Sequence, residues 1–179
     1  MYTKRNNSNR DSIMIGKVYI NDKYIGNNII TNNGSNLLAQ GLFDKNSQYR
    51  LTHFALGNKG TIYVDNVEQI VLPHKYDTTL NGPIYINNNC LTDYVSNISN
   101  CIKKLTSITK TDNKYECLLE LDVNEPKYSI SINEAGLYCT NINTTIDNIE
   151  KSILFSKISF LSKEKYITNK FKLIWALEF

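Results

Sequence analysis

Apolar and polar side chains alternate along several segments of this chain, which is the period of a β-strand. The last nine residues show it most clearly. Their apolar side chains at every second position are Phe171, Leu173, Trp175, Leu177 and Phe179. Ile174 and Ala176 occupy the opposite face, so we predict a final strand that is covered on both faces near its middle. Because the chain ends within this strand, we expect one β-rich unit whose last strand closes its own core.

The same alternation predicts further strands along the chain. They cover residues 12–20, 23–25, 50–56, 83–86, 115–123, 128–133, 137–139 and 154–160, with one or two more between 91 and 108. Asn21-Asp22 is typical of a hairpin turn. We also predict a bend at Glu134-Ala135-Gly136 and a charged turn over 162–165, with the last two strands forming a hairpin or meander.

One segment has the period of a helix. Leu38 and Leu42 are one turn apart between about residues 34 and 43, and the preceding Thr31-Asn32-Asn33-Gly34 can cap a helix. Residues 61–81 give a weaker pattern, in which the apolar positions from Val64 to Val71 fit either a helical turn or a strand. We predict a long surface loop there, a kind of segment that is either an interface or a plain insertion.

These elements predict a mainly β fold, an antiparallel β-sandwich with one short α-helix in its N-terminal part. We expect a single domain over residues 12–179, preceded by a flexible N-terminal arm, residues 1–11.

Charge and composition argue against several classes of protein. The 179 residues carry a net charge of +3, and Lys103-Lys104 is the only adjacent basic pair beyond the arm. A nucleic-acid-binding protein usually concentrates its basic residues, so we expect none of that activity. The N-terminus lacks the apolar run of a signal peptide, and no segment has the length of a membrane helix. We therefore expect folding in a cytoplasm, without membrane contact.

The cysteines and histidines do not predict a zinc site. Four cysteines, at positions 90, 101, 117 and 139, form no C-x-x-C pair, and the chain has two histidines. Reduced cysteines in or near the core are the favoured interpretation. A disulfide between Cys90 and Cys101 stays open.

The remaining titratable residues do not form a recognisable catalytic pattern. His53 lies in a predicted strand, and His74 follows Pro73 in the weak segment. Glu116, Glu120 and Asp122 share the polar side of one strand, as a solvated face does, although a calcium site there stays an alternative. We expect no enzyme activity, no cofactor and no metal.

Six segments, in order along the chain, match the motifs of a known group of proteins. They are Ile30-Thr31-Asn32-Asn33-Gly34 with Leu37-Leu38-Ala39, Phe54-Ala55-Leu56-Gly57-Asn58-Lys59-Gly60, Asp77-Thr78-Thr79-Leu80, Glu134-Ala135-Gly136-Leu137-Tyr138, Leu154-Phe155-Ser156-Lys157-Ile158-Ser159-Phe160, and the final strand from Leu173 to Phe179. This order resembles that of bacteriophage tail-fibre and baseplate proteins.

The resemblance implies a structural protein of a virion, a small β-sandwich that attaches fibres or joins neighbouring subunits. Its partners would be other tail, baseplate or fibre proteins, including copies of itself. Since the chain ends with the predicted sandwich, we expect an adaptor and not the fibre. A carbohydrate- or receptor-binding module is the alternative, because tyrosine and asparagine side chains bind sugars on other β-sandwiches.

Three residues of the matched motifs have structural interpretations. Gly34 and Gly136 would supply backbone angles or close approaches that other residues cannot. Glu134 would be a turn carboxylate that accepts backbone N–H groups.

Overall fold

The computed structural model describes residues 15–43, 47–86, 101–141 and 152–178. Among them are twelve strands and one helix. The strands are β1 (Ile15–Ile20), β2 (Lys23–Asn27), β3 (Ile29–Ile30), β4 (Tyr49–Gly57), β5 (Thr61–Val64), β6 (Val67–Ile70), β7 (Ile102–Lys104), β8 (Ser107–Thr111), β9 (Lys114–Leu121), β10 (Ile130–Asn141), β11 (Ile153–Lys165) and β12 (Phe171–Glu178). The helix, α1, runs over Asn32–Phe43. The predicted arm, residues 1–11, lies outside the described residues.

The strands form two five-stranded antiparallel sheets and a separate hairpin. The first sheet has the order β2-β1-β12-β9-β8, the second has the order β3-β11-β10-β4-β7, and β5 pairs with β6 in a two-stranded sheet. The predicted fold class, mainly β with antiparallel sheets and one short helix, is confirmed. No helix in the described part of the chain is long and apolar enough to cross a membrane.

Side chains from both sheets meet in one hydrophobic core. The first sheet contributes Val18, Cys117, Leu119 and Trp175, and the second contributes Phe54, Leu137, Phe155 and Phe160. A smaller apolar cluster lies on the other face of the second sheet. It consists of Ala55, Leu80, Ile102, Tyr138 and Leu154. The second sheet is therefore covered on both faces, and residues of the 71–86 segment help to cover the outer one.

Strand β12, which the alternation predicts, lies in the middle of the first sheet. Trp175 pairs with Val18 of β1 on one side and with Cys117 of β9 on the other. Its side chain is fully buried, and so is that of Leu173. Ala176, on the opposite face, is also fully buried, so the prediction of a strand covered on both faces near its middle holds at this position.

Helix α1 begins two residues before the predicted start because Thr31 caps it. The backbone N–H of Gly34 donates to Thr31 Oγ1 at 3.0 Å, and that hydroxyl donates to the carbonyl of Leu154 at 2.6 Å. A Cβ added to Gly34 would overlap with the backbone of Phe155 in β11. The helix therefore needs glycine here for a close approach to the sheet, one of the two predicted reasons.

Two predicted breaks are wrong. Residues 134–136 continue β10, which runs from Ile130 to Asn141 with a β-bulge between Ile132 and Glu134. Gly136 lies within this strand, where an added Cβ would press on the side chains of Leu154 and Leu80. The charged residues 162–165 likewise continue β11, and the turn comes after them.

The final two strands do not form a hairpin. β11 lies in the second sheet and β12 in the first, so the connection between them crosses from one layer to the other. Alternation identifies the strands but carries no information about which sheet each joins. The predicted strand over 83–86 is also wrong, because Pro83 makes a single bridge with Gly57. Proline has no N–H with which to extend a ladder.

Two other strands are shorter than the sequence predicts. Val123 lies beyond β9 and is 44% exposed, although the alternation predicts that it shares the buried face. Tyr128 lies before β10 and is 36% exposed. Residues 87–100 and 142–151, where further strands and polar loops are predicted, lie outside the described residues.

Candidate functional site

The segment predicted as a long surface loop contains a regular β-hairpin, β5–β6. Val64 and Val67 pair next to a two-residue turn, in which Asp65 has φ 52° and Asn66 has φ 63°. Positive φ at both central residues defines a type I′ turn, which suits the twist of a hairpin. Of the two conformations that the sequence left open for this segment, the strand is the one formed.

Apolar side chains of this hairpin and of the segment after it face solvent. Ile62 is 53%, Tyr63 72% and Val67 60% exposed. Leu72 and Tyr76, which follow the hairpin, are 83% and 65% exposed. Because neighbouring residues of a strand point to opposite faces, exposure of both Ile62 and Tyr63 shows that the hairpin is open on both faces. We name Ile62, Tyr63, Val64, Val67, Ile70, Leu72 and Tyr76 the apolar projection.

Polar contacts fix the hairpin on the second sheet both at its base and near its turn. Asn133 accepts the N–H of Gly60 at 2.7 Å and donates to Thr61 Oγ1 at 2.8 Å. Glu68 accepts from Thr61 Oγ1 at 2.8 Å and from both the N–H and the hydroxyl of Ser162 in β11. The Ser162 hydroxyl, together with these other donors, holds the pKa of Glu68 below its ordinary value. The hairpin is therefore held against the second sheet through polar side chains, while its apolar side chains stay exposed.

A buried lysine lies close by, on the outer face of the second sheet. Lys157 of β11 is fully buried, and its Nζ lies 3.0 Å from Asp77 Oδ2 and 3.7 Å from Oε2 of the fully buried Glu134. The same nitrogen donates to the carbonyl of Thr79 at 3.2 Å and to Asn81 Oδ1 at 2.9 Å. We name Asp77, Asn81, Glu134 and Lys157 the buried lysine cluster.

Glu134 holds the backbone of the 77–82 segment against β10. It accepts the N–H of Asn81 at 3.0 Å and that of Gly82 at 2.6 Å. The prediction of a carboxylate that accepts backbone N–H groups is thus confirmed, but the donors come from a distant segment and not from a bend at Glu134 itself.

Asp77 closes the cluster towards solvent. Burial alone would raise the pKa of this carboxyl group, but the backbone N–H of His74 and the ammonium of Lys157 outweigh that effect and hold the pKa below its ordinary value. A buried ion pair of this kind is costly to break, because removal of one partner leaves the other charge uncompensated.

The cluster and its surroundings bring together five of the six matched motifs. Asp77, Glu134 and Lys157 come from three of them and meet in the cluster. Gly57 of a fourth lies against Glu134, where an added Cβ would meet the carboxylate. Thr31 of a fifth docks on β11 through Leu154. The sixth motif, the final strand, lies in the other sheet. The motif residues near the cluster therefore have a physical role, which is to fix loops and the helix on one sheet.

The two histidines lie on different elements. His53, in β4, is half-buried, and burial, helped by the neighbouring Lys104, lowers its pKa. Its Nδ1 lies 2.8 Å from Thr52 Oγ1. His74 is exposed in the loop before Asp77 and lies against the ring of Tyr76. The contacts of the two rings do not join them in one site.

The acidic side of β9 is paired with lysines. Glu116 lies 2.6 Å from Lys114, and both Glu120 and Asp122 lie within 3.4 Å of Lys170. Within the described ranges, no group of three or more histidine, cysteine, aspartate or glutamate side chains is arranged to hold a metal ion.

Three of the four cysteines are buried thiols. Burial raises the pKa of Cys101 to about 11 and those of Cys117 and Cys139 to about 12. The fourth, Cys90, lies outside the described residues, so the disulfide between Cys90 and Cys101 stays untested. Cys117 and Cys139 line a mainly apolar cleft of about 620 Å³ beside helix α1. Since these thiols are protonated at neutral pH, the cleft offers apolar contact without an activated sulfur nucleophile.

No family model, curated protein or solved structure matches this chain. The interpretation of the apolar projection therefore depends on the motifs and on the geometry described above.

Of these features, sequence reasoning missed the buried lysine cluster. The sequence nevertheless contains a signal for this cluster. Lys157 is the one charged residue in a segment that otherwise has the pattern of a core strand, Leu154-Phe155-Ser156-Lys157-Ile158-Ser159-Phe160. A lysine in such a run needs a buried acceptor, and the Glu134 motif carries one.

Proposed function

We propose that this chain is a non-enzymatic structural protein of a bacteriophage virion, an adaptor in the tail or baseplate that joins neighbouring subunits or attaches fibres. The apolar projection is the observation that carries the proposal. Large exposed apolar patches on a folded protein mark surfaces that are covered by a partner. An anchored hairpin that is open on both faces suits insertion between two neighbours.

The partner surface that fits the projection is a protein one. The hairpin offers aliphatic and tyrosine side chains for an apolar recess, and within the described ranges each of its two strands pairs along one edge only. A strand of a neighbouring subunit can pair with the other edge through backbone hydrogen bonds. The same edge would promote aggregation of a free monomer, which is a further reason for a permanent partner.

The motifs support the proposal in a second way. The motif residues near the buried lysine cluster fix loops, a helix and a hairpin to the sheet, and their polar groups are used by one another. A protein that serves in assembly needs residues that hold its scaffold rigid, whereas an enzyme needs titratable groups that face a substrate.

Mass spectrometry of purified particles tests the proposal. Heads and tails are separated, and the chain is quantified in each fraction. The proposal predicts that the chain is present in particles and leaves with the tails. Its absence from particles, or its recovery with the heads, would contradict it.

A glycan array probes the alternative on the isolated protein. Exposed tyrosines such as Tyr63 and Tyr76 are the side chains that a sugar would stack on. Specific binding that is lost in Tyr63→Ala and Tyr76→Ala variants would favour a carbohydrate-binding module. The adaptor proposal predicts no specific binding.

A further inference from the structure

We propose that Lys157 and Asn81 become joined by an intramolecular isopeptide bond, an amide between their side chains, in a reaction that Glu134 assists. The proposal does not rest on the adaptor function. It rests on the buried lysine cluster, where a primary amine, a carboxamide and a carboxylate meet under the 77–82 segment.

The amine is held against the carboxamide. Lys157 Nζ lies 2.9 Å from Asn81 Oδ1, and a C=O bond is about 1.2 Å long, so the nitrogen is no more than about 4.1 Å from the carbonyl carbon. Reacting atoms in productive complexes are about 3–3.5 Å apart. The Lys157 side chain is only 1% exposed, so its amine is held beside this carbonyl and away from bulk water.

Three contacts limit the movement of the two reactants. Glu134 holds the backbone N–H of Asn81, the carbonyl of Thr79 accepts from Lys157 Nζ, and Asn81 Nδ2 donates to the carbonyl of Lys59 at 3.3 Å. The last contact lies on the exposed side of the segment, which gives the leaving nitrogen a path to solvent.

Glu134 is the group that accepts the proton. The ammonium of Lys157 transfers one proton to the carboxylate, whose Oε2 lies 3.7 Å from Nζ. A shortening of about 0.5 Å brings the two atoms within the range in which bases and their protons react. The neutral amine then attacks Cγ of Asn81, and a new C–N bond forms.

The bond between Cγ and Nδ2 breaks as the tetrahedral carbon collapses. The second proton of Nζ passes through Glu134 to Nδ2, and nitrogen leaves as ammonia. The proton first taken by Glu134 converts this ammonia to ammonium. The balance is one lysine ammonium plus one carboxamide giving one secondary amide plus one ammonium ion, with no oxidant or other reactant.

Asn81 is the electrophile and not Asp77. The ionised carboxylate of Asp77 repels a nucleophile and must first be protonated, whereas a carboxamide is neutral and leaves ammonia. The two alternatives differ in mass, because reaction at Asp77 would release water.

The intact mass of the purified full-length chain is the first test. We expect a mass lower than that of the sequence by one molecule of ammonia, under denaturing conditions and after incubation at neutral pH. An unchanged mass at both times would overturn the proposal, and loss of one water would overturn the assignment to Asn81.

A tryptic map is the second test, because Asn81 precedes Gly82 and such a pair can also lose ammonia by forming a succinimide. Acylated Lys157 is not cleaved, so the bond predicts one branched peptide that joins residues 76–103 to residues 152–163. A free 152–157 peptide together with an ammonia-deficient 76–103 peptide would show cyclisation instead and contradict the proposal.

Variants test the assigned roles. Lys157→Arg keeps the positive charge but should not form the bond, and Asn81→Ala should not form it either. Lys170→Arg, which changes a solvent-exposed ion pair, should still form the bond. Glu134→Gln that melts as a folded protein should give no branched peptide. Glu134→Asp, in which the carboxylate is withdrawn, should form the bond more slowly than the wild type. A branched peptide in folded Glu134→Gln at the wild-type rate would remove Glu134 from the reaction.

Discussion

Replacement of Trp175 by alanine should remove a large part of the stability of this domain. The side chain is fully buried at the centre of the first sheet, between Val18 and Cys117. A buried aromatic side chain covers about 150–250 Å², which at about 25 cal/mol per Å² corresponds to about 4–6 kcal/mol. Measured Trp→Ala changes in cores cost about 3–5 kcal/mol, and we expect a loss in that range.

Trp175→Phe should behave differently. The indole Nε1 is buried and has no hydrogen-bond partner among the described residues. An unsatisfied buried donor costs about 1–3 kcal/mol, and phenylalanine removes it while it keeps most of the apolar contact. We therefore expect Trp175→Phe to change the free energy of unfolding by less than about 1 kcal/mol.

Urea unfolding followed by far-ultraviolet circular dichroism measures both variants, because Trp175 is the only tryptophan and its loss removes the fluorescence signal. Tyr166→Ala is the control, since that side chain is 54% exposed and its loss should cost no more than about 0.5 kcal/mol. A loss of under about 1 kcal/mol for Trp175→Ala would mean that the side chain is not packed in the core as described.

Three further predictions concern helix α1, the β5–β6 hairpin and the N-terminal arm. Gly34→Ala should cost about 1–3 kcal/mol of stability, because its Cβ would overlap with the backbone of β11. Gly41→Ala is the control and should be neutral or stabilise α1 by up to about 1 kcal/mol, because nothing lies near its Cβ. Equal melting temperatures for the two variants would contradict this prediction. The pKa of Glu68 is lowered in the folded state, so its stabilisation of the hairpin is present above its ordinary value of 4.5 and is lost as pH falls through the folded pKa. The protection of the hairpin amides, which is their exchange rate corrected for the intrinsic rate at each pH, should therefore fall in acid, and Glu68→Gln should remove that pH dependence; an unchanged protection profile would contradict it. We expect the predicted arm to contact a neighbouring subunit, so deletion of residues 1–11 should leave the melting temperature unchanged but weaken incorporation into particles; normal incorporation would contradict that contact.

The strands of the core could be predicted because their alternation is complete. Leu119 and Leu121 of β9, and Leu173 and Trp175 of β12, each occupy one face, and burial of that face decides the register. The pairing of strands could not be predicted, because β11 and β12 carry similar patterns but lie in different sheets.

Predicted breaks failed where polar residues remain inside a strand. Glu134 was predicted at a bend, and Lys157 in a strand without a partner, but both are buried because the 77–82 segment covers this part of the outer face of the second sheet. Contacts between residues so far apart in sequence leave no local pattern. The hairpin β5–β6 was left ambiguous for another reason, since its apolar residues serve no core and so show no regular burial.

Incorporation of hairpin variants into particles would show whether the β5–β6 hairpin contacts a neighbouring subunit. Tyr63→Ser with Val67→Ser removes two of the most exposed apolar side chains, and Tyr24→Ser with Tyr166→Ser removes two that are exposed to a similar extent elsewhere. Cells that lack the natural copy are supplied with either double variant, melting temperatures are checked, and the chain is quantified in purified tails. We predict that the hairpin variant keeps its melting temperature and falls at least about tenfold in tails, which is about 1.4 kcal/mol of binding, while the control is incorporated normally. Equal incorporation of the two would contradict the proposal that this hairpin joins the protein to its neighbours.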